Sequence, residues 1–225
     1  MCFSATASFV TATALTPIGA VAVAFARQRD SRRWLPLALT PLLFAIQQAL
    51  EGSVWLQLDH ATPAALAYLG FAFALWPIWM PWCALRLSAK GASPQRRRLL
   101  QCCLGLGWLV AAALWIPLLL DPGRIHPAVR HGSIDYQVWL PWSAHLGHGP
   151  GSLIYALIIC LPLLLSSSRR LPWLAAALAL AFAWAQLAFL HAFSSVWCYF
   201  SAVLSALVLW ILQEEPATTQ PPRAF

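Results

Sequence analysis

Apolar residues in this chain fall into seven long blocks separated by short polar segments. The blocks cover residues 3–26, 35–58, 64–85, 99–120, 151–167, 171–190 and 192–212. Most reach the ~20 residues that an α-helix needs to cross a ~30 Å hydrocarbon core, and the fifth is the shortest. Lipid offers no hydrogen bonds to free peptide groups, so blocks of this kind are expected to be helical. The pattern predicts an all-α membrane protein of seven transmembrane helices. A single membrane domain spans 1–213, and 214–225 form a Pro/Thr-rich tail expected to be disordered. The first block is longer than the ~7–15 residues of a signal-peptide core and follows no basic segment, so it reads as a retained span.

Charge sets the expected orientation. The chain is 60% hydrophobic and 9% charged, against about 25% charged in soluble domains. Its net charge of +7 would suit nucleic acid, but the basic residues alternate strictly between the blocks. Arg27, Arg29, Arg32 and Arg33 follow the first, Arg86, Lys90 and Arg96–Arg98 the third, and Arg169 and Arg170 the fifth; Arg223 lies in the tail. Of fourteen Lys and Arg residues, Arg124 and Arg130 alone fall on the opposite side. This positive-inside pattern places the N-terminus outside and the C-terminus in the cytoplasm. The partner implied is a lipid bilayer, with no role for nucleic acid.

Candidate chemistry begins at Glu51, the one acidic residue within any block. A carboxyl group inside a membrane is costly and marks a functional site by default. It lies sixteen residues into the second block, or about 24 Å from its cytoplasmic start, hence in the outer third of the bilayer. Gln47 and Gln48 precede it by one turn on a shared surface. Gln186 in the sixth block is at a similar depth. In the seventh, His191, Ser194, Cys198, Ser201 and Ser205 recur at helical spacing and form a polar, small-residue face. Ser4, Ser8 and Thr11 do the same in the first block, where close helix packing explains them. The third block contains Trp76-Pro77-Ile78-Trp79-Met80-Pro81-Trp82. Two prolines four residues apart should bend the helix and free carbonyls that then need partners.

The 121–150 segment is the longest connection, and strand-forming residues around His131-Gly132-Ser133 predict a small hairpin lid. All six histidines map to the outer side. His145 and His148 have an H-x-x-H spacing. With Glu51, His191, Cys2 and Cys198 they form a candidate donor set for zinc or copper, though no spacing matches a zinc signature. Cys2 and Cys198 admit three readings: a disulfide joining the first and last spans, soft-metal ligands beside His191, or packing thiols.

Three stretches carry a resemblance: Met1-Cys2-Phe3-Ser4-Ala5, the block from Pro41 through Gln47-Gln48-Ala49-Leu50-Glu51-Gly52, and Ser195-Val196-Trp197-Cys198-Tyr199-Phe200-Ser201-Ala202. Together they resemble a family of bacterial multi-pass membrane proteins that begin Met-Cys-Phe-Ser-Ala and have no assigned activity. The resemblance implies a seven-span bacterial protein, with an inner membrane as its expected location, and is silent on reaction. Three functions follow from the residues. The first is a binding protein with a polar pocket between helices 1, 2, 6 and 7, using Gln47, Gln48, Glu51, Gln186, Ser194 and Ser201. The second is a metal-dependent lipid hydrolase resembling the alkaline ceramidase superfamily, although that resemblance requires a histidine pair in the last span and His191 stands alone. The third is a proton-linked transporter with Glu51 as its titrating group.

Overall fold

The structure, a computed structural model, describes residues 4–28, 33–58, 63–88, 93–140 and 148–214. Within them lie helices α1 (Ala5–Gln28), α2 (Leu35–Trp55), α3 (Pro63–Leu87), α4 (Pro94–Leu120), α5 (His148–Leu165), α6 (Leu171–Ala188), α7 (Phe193–Leu204) and α8 (Leu207–Glu214). Strands β1 (Ala128–Arg130) and β2 (Ser133–Asp135) lie between α4 and α5. Five of the helices, α1 to α4 and α6, are long and apolar enough to cross a membrane. So is the combined stretch Phe193–Gln213, which makes six candidate spans among the described residues. The chain is therefore a multi-pass membrane protein by helix length and composition. The apolar part of α5, Gly151–Leu165, is shorter, as the sequence foreshadowed. The 215–225 segment of the tail lies outside the described residues.

Local chemistry sets where the helices begin. Ser4 Oγ accepts from the Ala7 N–H, and Ser93 Oγ accepts from the Arg96 N–H, each relieving an orphaned donor of a first turn. Pro36, Pro94 and Pro172 occupy first turns, where a missing N–H costs nothing. Helix α5 opens at His148, three residues before the predicted block, with Pro150 in its first turn.

The helices form a closed bundle. α1 packs along α2, α3 along α4 and α5, and α5 on α6; α7 and α8 return to α1 and α2. Large apolar side chains such as Val10, Leu106, Leu109, Trp184 and Leu187 remain exposed on its outside, as a lipid-facing surface requires. At Gly52, a Cβ would come within 2.8 Å of the Phe9 ring. That glycine lets α1 and α2 approach closely and puts the Phe9 turn level with the Glu51 turn.

The Trp-Pro segment of α3 shows how two prolines are accommodated. Gly70–Leu75 form a π-helical stretch just before it, in which the Trp76 N–H donates to the Phe71 carbonyl. With Trp76 committed to Phe71, and no N–H on Pro77, the Ala72 carbonyl has no donor in its own helix. The Tyr155 hydroxyl of α5 donates to it instead. Pro81 likewise leaves the Pro77 carbonyl free, and Gly107 of α4 packs against that oxygen so tightly that a Cβ would sit 2.0 Å away.

The hairpin forms as the sequence predicts. β1 and β2 pair antiparallel with Arg130 opposite Ser133. The two turn residues, His131 and Gly132, have φ of 50° and 75°, the left-handed pair that suits a tight two-residue hairpin. An Arg130–Asp135 ion pair of 3.4 Å links the strands. Ile125, Ile134 and Tyr136 are buried against Val54, Tyr68 and Leu118 at one end of the bundle. The hairpin thus covers the ends of α2, α3, α4 and α7.

Candidate functional site

One face of α2 is polar and buried: Thr40, Gln47, Gln48 and Glu51 are each at most 2% exposed. Buried polar groups need hydrogen bonds, and neighbouring helices supply several. Ser195 Oγ of α7 donates to Glu51 Oε1 at 2.5 Å. Gln48 Nε2 donates to Glu51 Oε2 at 3.2 Å. Trp76 Nε1 donates to Gln47 Oε1 at 2.8 Å, and Trp79 Nε1 to Thr40 Oγ1 at 3.2 Å. The Trp-Pro segment of α3 is thereby locked to the polar face of α2, and Trp76 also stacks on Phe44 with ring centroids 3.9 Å apart.

Two tyrosines close the cluster. Tyr68 lies beside Glu51 and Cys198, and its hydroxyl donates to the Ser194 carbonyl at 3.3 Å. Tyr136, just past the hairpin, stacks on Tyr68 with centroids 4.8 Å apart and planes 9° apart. Burial pushes the Tyr136 phenol well above its ordinary range, and nearby Glu51 and Cys198 push it further in the same direction. It is a neutral hydroxyl, available both to donate and to accept.

Among the described residues, buried polar atoms without a partner at this end of the bundle include Gln48 Oε1, Ser8 Oγ, Ser133 Oγ and the Tyr136 hydroxyl, whereas Gln47 also lies against the Cys198 thiol. Each such atom costs about 1–3 kcal/mol if left so. Beside Cys198 lies a cavity of about 20 Å³, lined by Trp76, Tyr155, Trp197, Cys198 and Ser201 among others. That is room for one water molecule.

The sequence-predicted residues divide. Gln47, Gln48, Glu51 and Cys198 do come together. Ser201 lines the cavity, whereas Ser194 contributes only its backbone carbonyl. The side chain that reaches Glu51 is Ser195, one residue on. Leu190–Ala192 form a 3-10 turn, and the helix begins afresh at Phe193. From Ser194 on the stripe does face inward, with Cys198, Ser201 and Ser205 buried, and Ser195 is buried beside it. Gln186 stands apart: its Oε1 is buried without a partner, and no hydrogen bond of the Glu51 cluster reaches it. Among the described residues α6 makes no hydrogen bond to Glu51, although its Leu178 lines the cavity beside Cys198, and α3 adds Tyr68 and Trp76 to the cluster. Cys2, His60 and His145, and the side chains of His148 and His191, lie outside the described residues. Among the described residues no three His, Cys, Asp or Glu side chains are grouped as a metal site, and Cys198 is a buried free thiol. Sequence reasoning missed Thr40, Tyr68, Tyr136 and Ser195. Of these, Thr40 shares the Gln47 face at a spacing of seven and was open to detection.

A family match spans residues 1–223, which takes in all three stretches singled out in the sequence. The chain belongs to DUF6629, a family of unknown function. No curated protein matches it, and no solved structure does. What this DUF6629 protein does must therefore be argued from its own residues, and the Glu51 cluster is where its unsatisfied chemistry is concentrated.

Proposed function

We propose that this DUF6629 protein is a seven-helix inner-membrane protein, N-terminus outside and C-terminus cytoplasmic, that binds a small polar guest beside Glu51. The pocket lies in the outer third of the bilayer, between α1, α2, α3 and α7, with the hairpin as its lid. Helix α5 is the seventh span, its short apolar stretch extended by the first turn of the helix. The observation that carries the reading is the surplus around Glu51. Its carboxyl group is met by two donors, yet Gln48 Oε1, on the residue that bonds it, remains buried and unbonded. A cluster serving packing alone would be expected to satisfy its own atoms. A site awaiting a guest leaves some of them open.

Native mass spectrometry of the purified protein tests this. Wild type is expected to carry one bound species that Glu51→Gln lacks, once the masses are corrected for the substitution itself. Equal corrected masses would overturn the proposal. If the extra species were stoichiometric zinc, the metal-dependent hydrolase reading would replace it.

A further inference from the structure

The cavity beside Cys198 has walls of a different kind from the Glu51 cluster. Buried Phe44, Met80, Ile159 and Leu178 line it with apolar side chains. Its aromatic walls carry polar atoms, but these are committed elsewhere. Trp76 Nε1 donates to Gln47 Oε1 at 2.8 Å, and Trp197 Nε1 donates to the Leu178 carbonyl at 3.3 Å. The Tyr155 hydroxyl donates to the Ala72 carbonyl. The Cys198 thiol lies against Tyr68 and Gln47 of the polar cluster. That leaves the Ser201 hydroxyl to meet anything inside. A buried water typically makes about three hydrogen bonds, and a space that cannot supply two stays dry. Neither Glu51, Gln48 nor Ser195 lines this space.

We infer that the cavity is a second site, separate from Glu51, that takes a neutral apolar molecule of diatomic size, the class of dioxygen and nitric oxide. Its volume of about 20 Å³ sets the size of the guest. Dispersion drives the binding. Wall atoms that face an empty space forfeit contacts, and a polarisable guest restores them. The bilayer supplies such a guest, because apolar solutes leave water for hydrocarbon. The site does not depend on the polar guest proposed above.

The test is the unfolding temperature of the purified full-length protein in detergent, under xenon and under helium at the same pressure. Xenon is the probe because it is apolar, polarisable and compact; helium is scarcely polarisable and controls for pressure. Xenon should raise the midpoint by about 3–6 °C at ten times its dissociation constant. Ser201→Leu puts a branched side chain into the space and should abolish the rise that is specific to xenon. Should that variant fail to fold, Leu178→Phe serves in its place. Glu51→Gln should keep the rise, whether or not it loses the polar guest, so the two readings stand or fall separately. Equal midpoints for wild type under the two gases would overturn the inference. So would a full xenon response in a folded variant with the space filled. A response lost in folded Glu51→Gln would overturn it too, by placing the xenon in the polar cluster.

Discussion

Glu51 is anchored from two helices, and that arrangement decides how its replacements behave. In Glu51→Gln, the new amide oxygen can still accept from Ser195. The Gln48 amide can then turn so that its free Oε1 accepts from the new NH2 group. Stability should fall by less than about 1 kcal/mol, because the turn pairs Gln48 Oε1 as it unpairs Gln48 Nε2 and leaves the number of orphaned amide groups unchanged. Glu51→Leu leaves both Ser195 Oγ and Gln48 Nε2 without acceptors and should cost about 2–6 kcal/mol. Melting midpoints of the two variants in one detergent separate the cases; equal losses would show that the hydrogen bonds do not hold the cluster. At this scale the sequence was informative where the signal is local. A lone acid in an apolar block with two glutamines one turn earlier is visible in the chain itself. Ser195 was missed because it lies one position off the Ser194, Cys198, Ser201 stripe, although it is buried as well. Tyr68 and Tyr136 were missed because nothing near them in sequence says that they stack on each other.

Among the elements, α3 bears the largest departure from regular geometry. Its prolines were expected to free carbonyls, and the structure shows what satisfies or covers two of them. Tyr155 serves Ala72, and the bare Cα of Gly107 lies against Pro77. Tyr155→Phe should cost about 1–3 kcal/mol by leaving the Ala72 oxygen unbonded. Gly107→Ala should cost about 1–3 kcal/mol by overpacking, since a backbone oxygen cannot move aside as a side chain can. Each loss would appear as a lowered unfolding midpoint, and a neutral Gly107→Ala would contradict the close α3–α4 contact. The freed carbonyls were legible because proline lacks a backbone N–H. The π-helical stretch was not, since nothing local in the sequence signals that the Trp76 N–H reaches back to the Phe71 carbonyl. The hairpin was legible from its turn residues, while its packing over Tyr68 depends on long-range burial that no local pattern encodes.

For the molecule as a whole, the central claim is that the Glu51 site lies at the outer end of the bundle beneath an extracytoplasmic hairpin. Helix lengths followed from apolar block lengths. Orientation rests on the loop charges, because packing inside a bundle is indifferent to which end faces the cytoplasm. Val129 on β1 is 45% exposed and offers a reporter position away from the buried side of the lid. Val129→Cys in intact cells, treated with a membrane-impermeant maleimide and compared with the unsubstituted protein, tests the claim most directly. The account predicts additional labelling of the variant without permeabilisation. Labelling that appears only after the membrane is opened would place the hairpin, and Glu51 beneath it, on the cytoplasmic side and contradict the account.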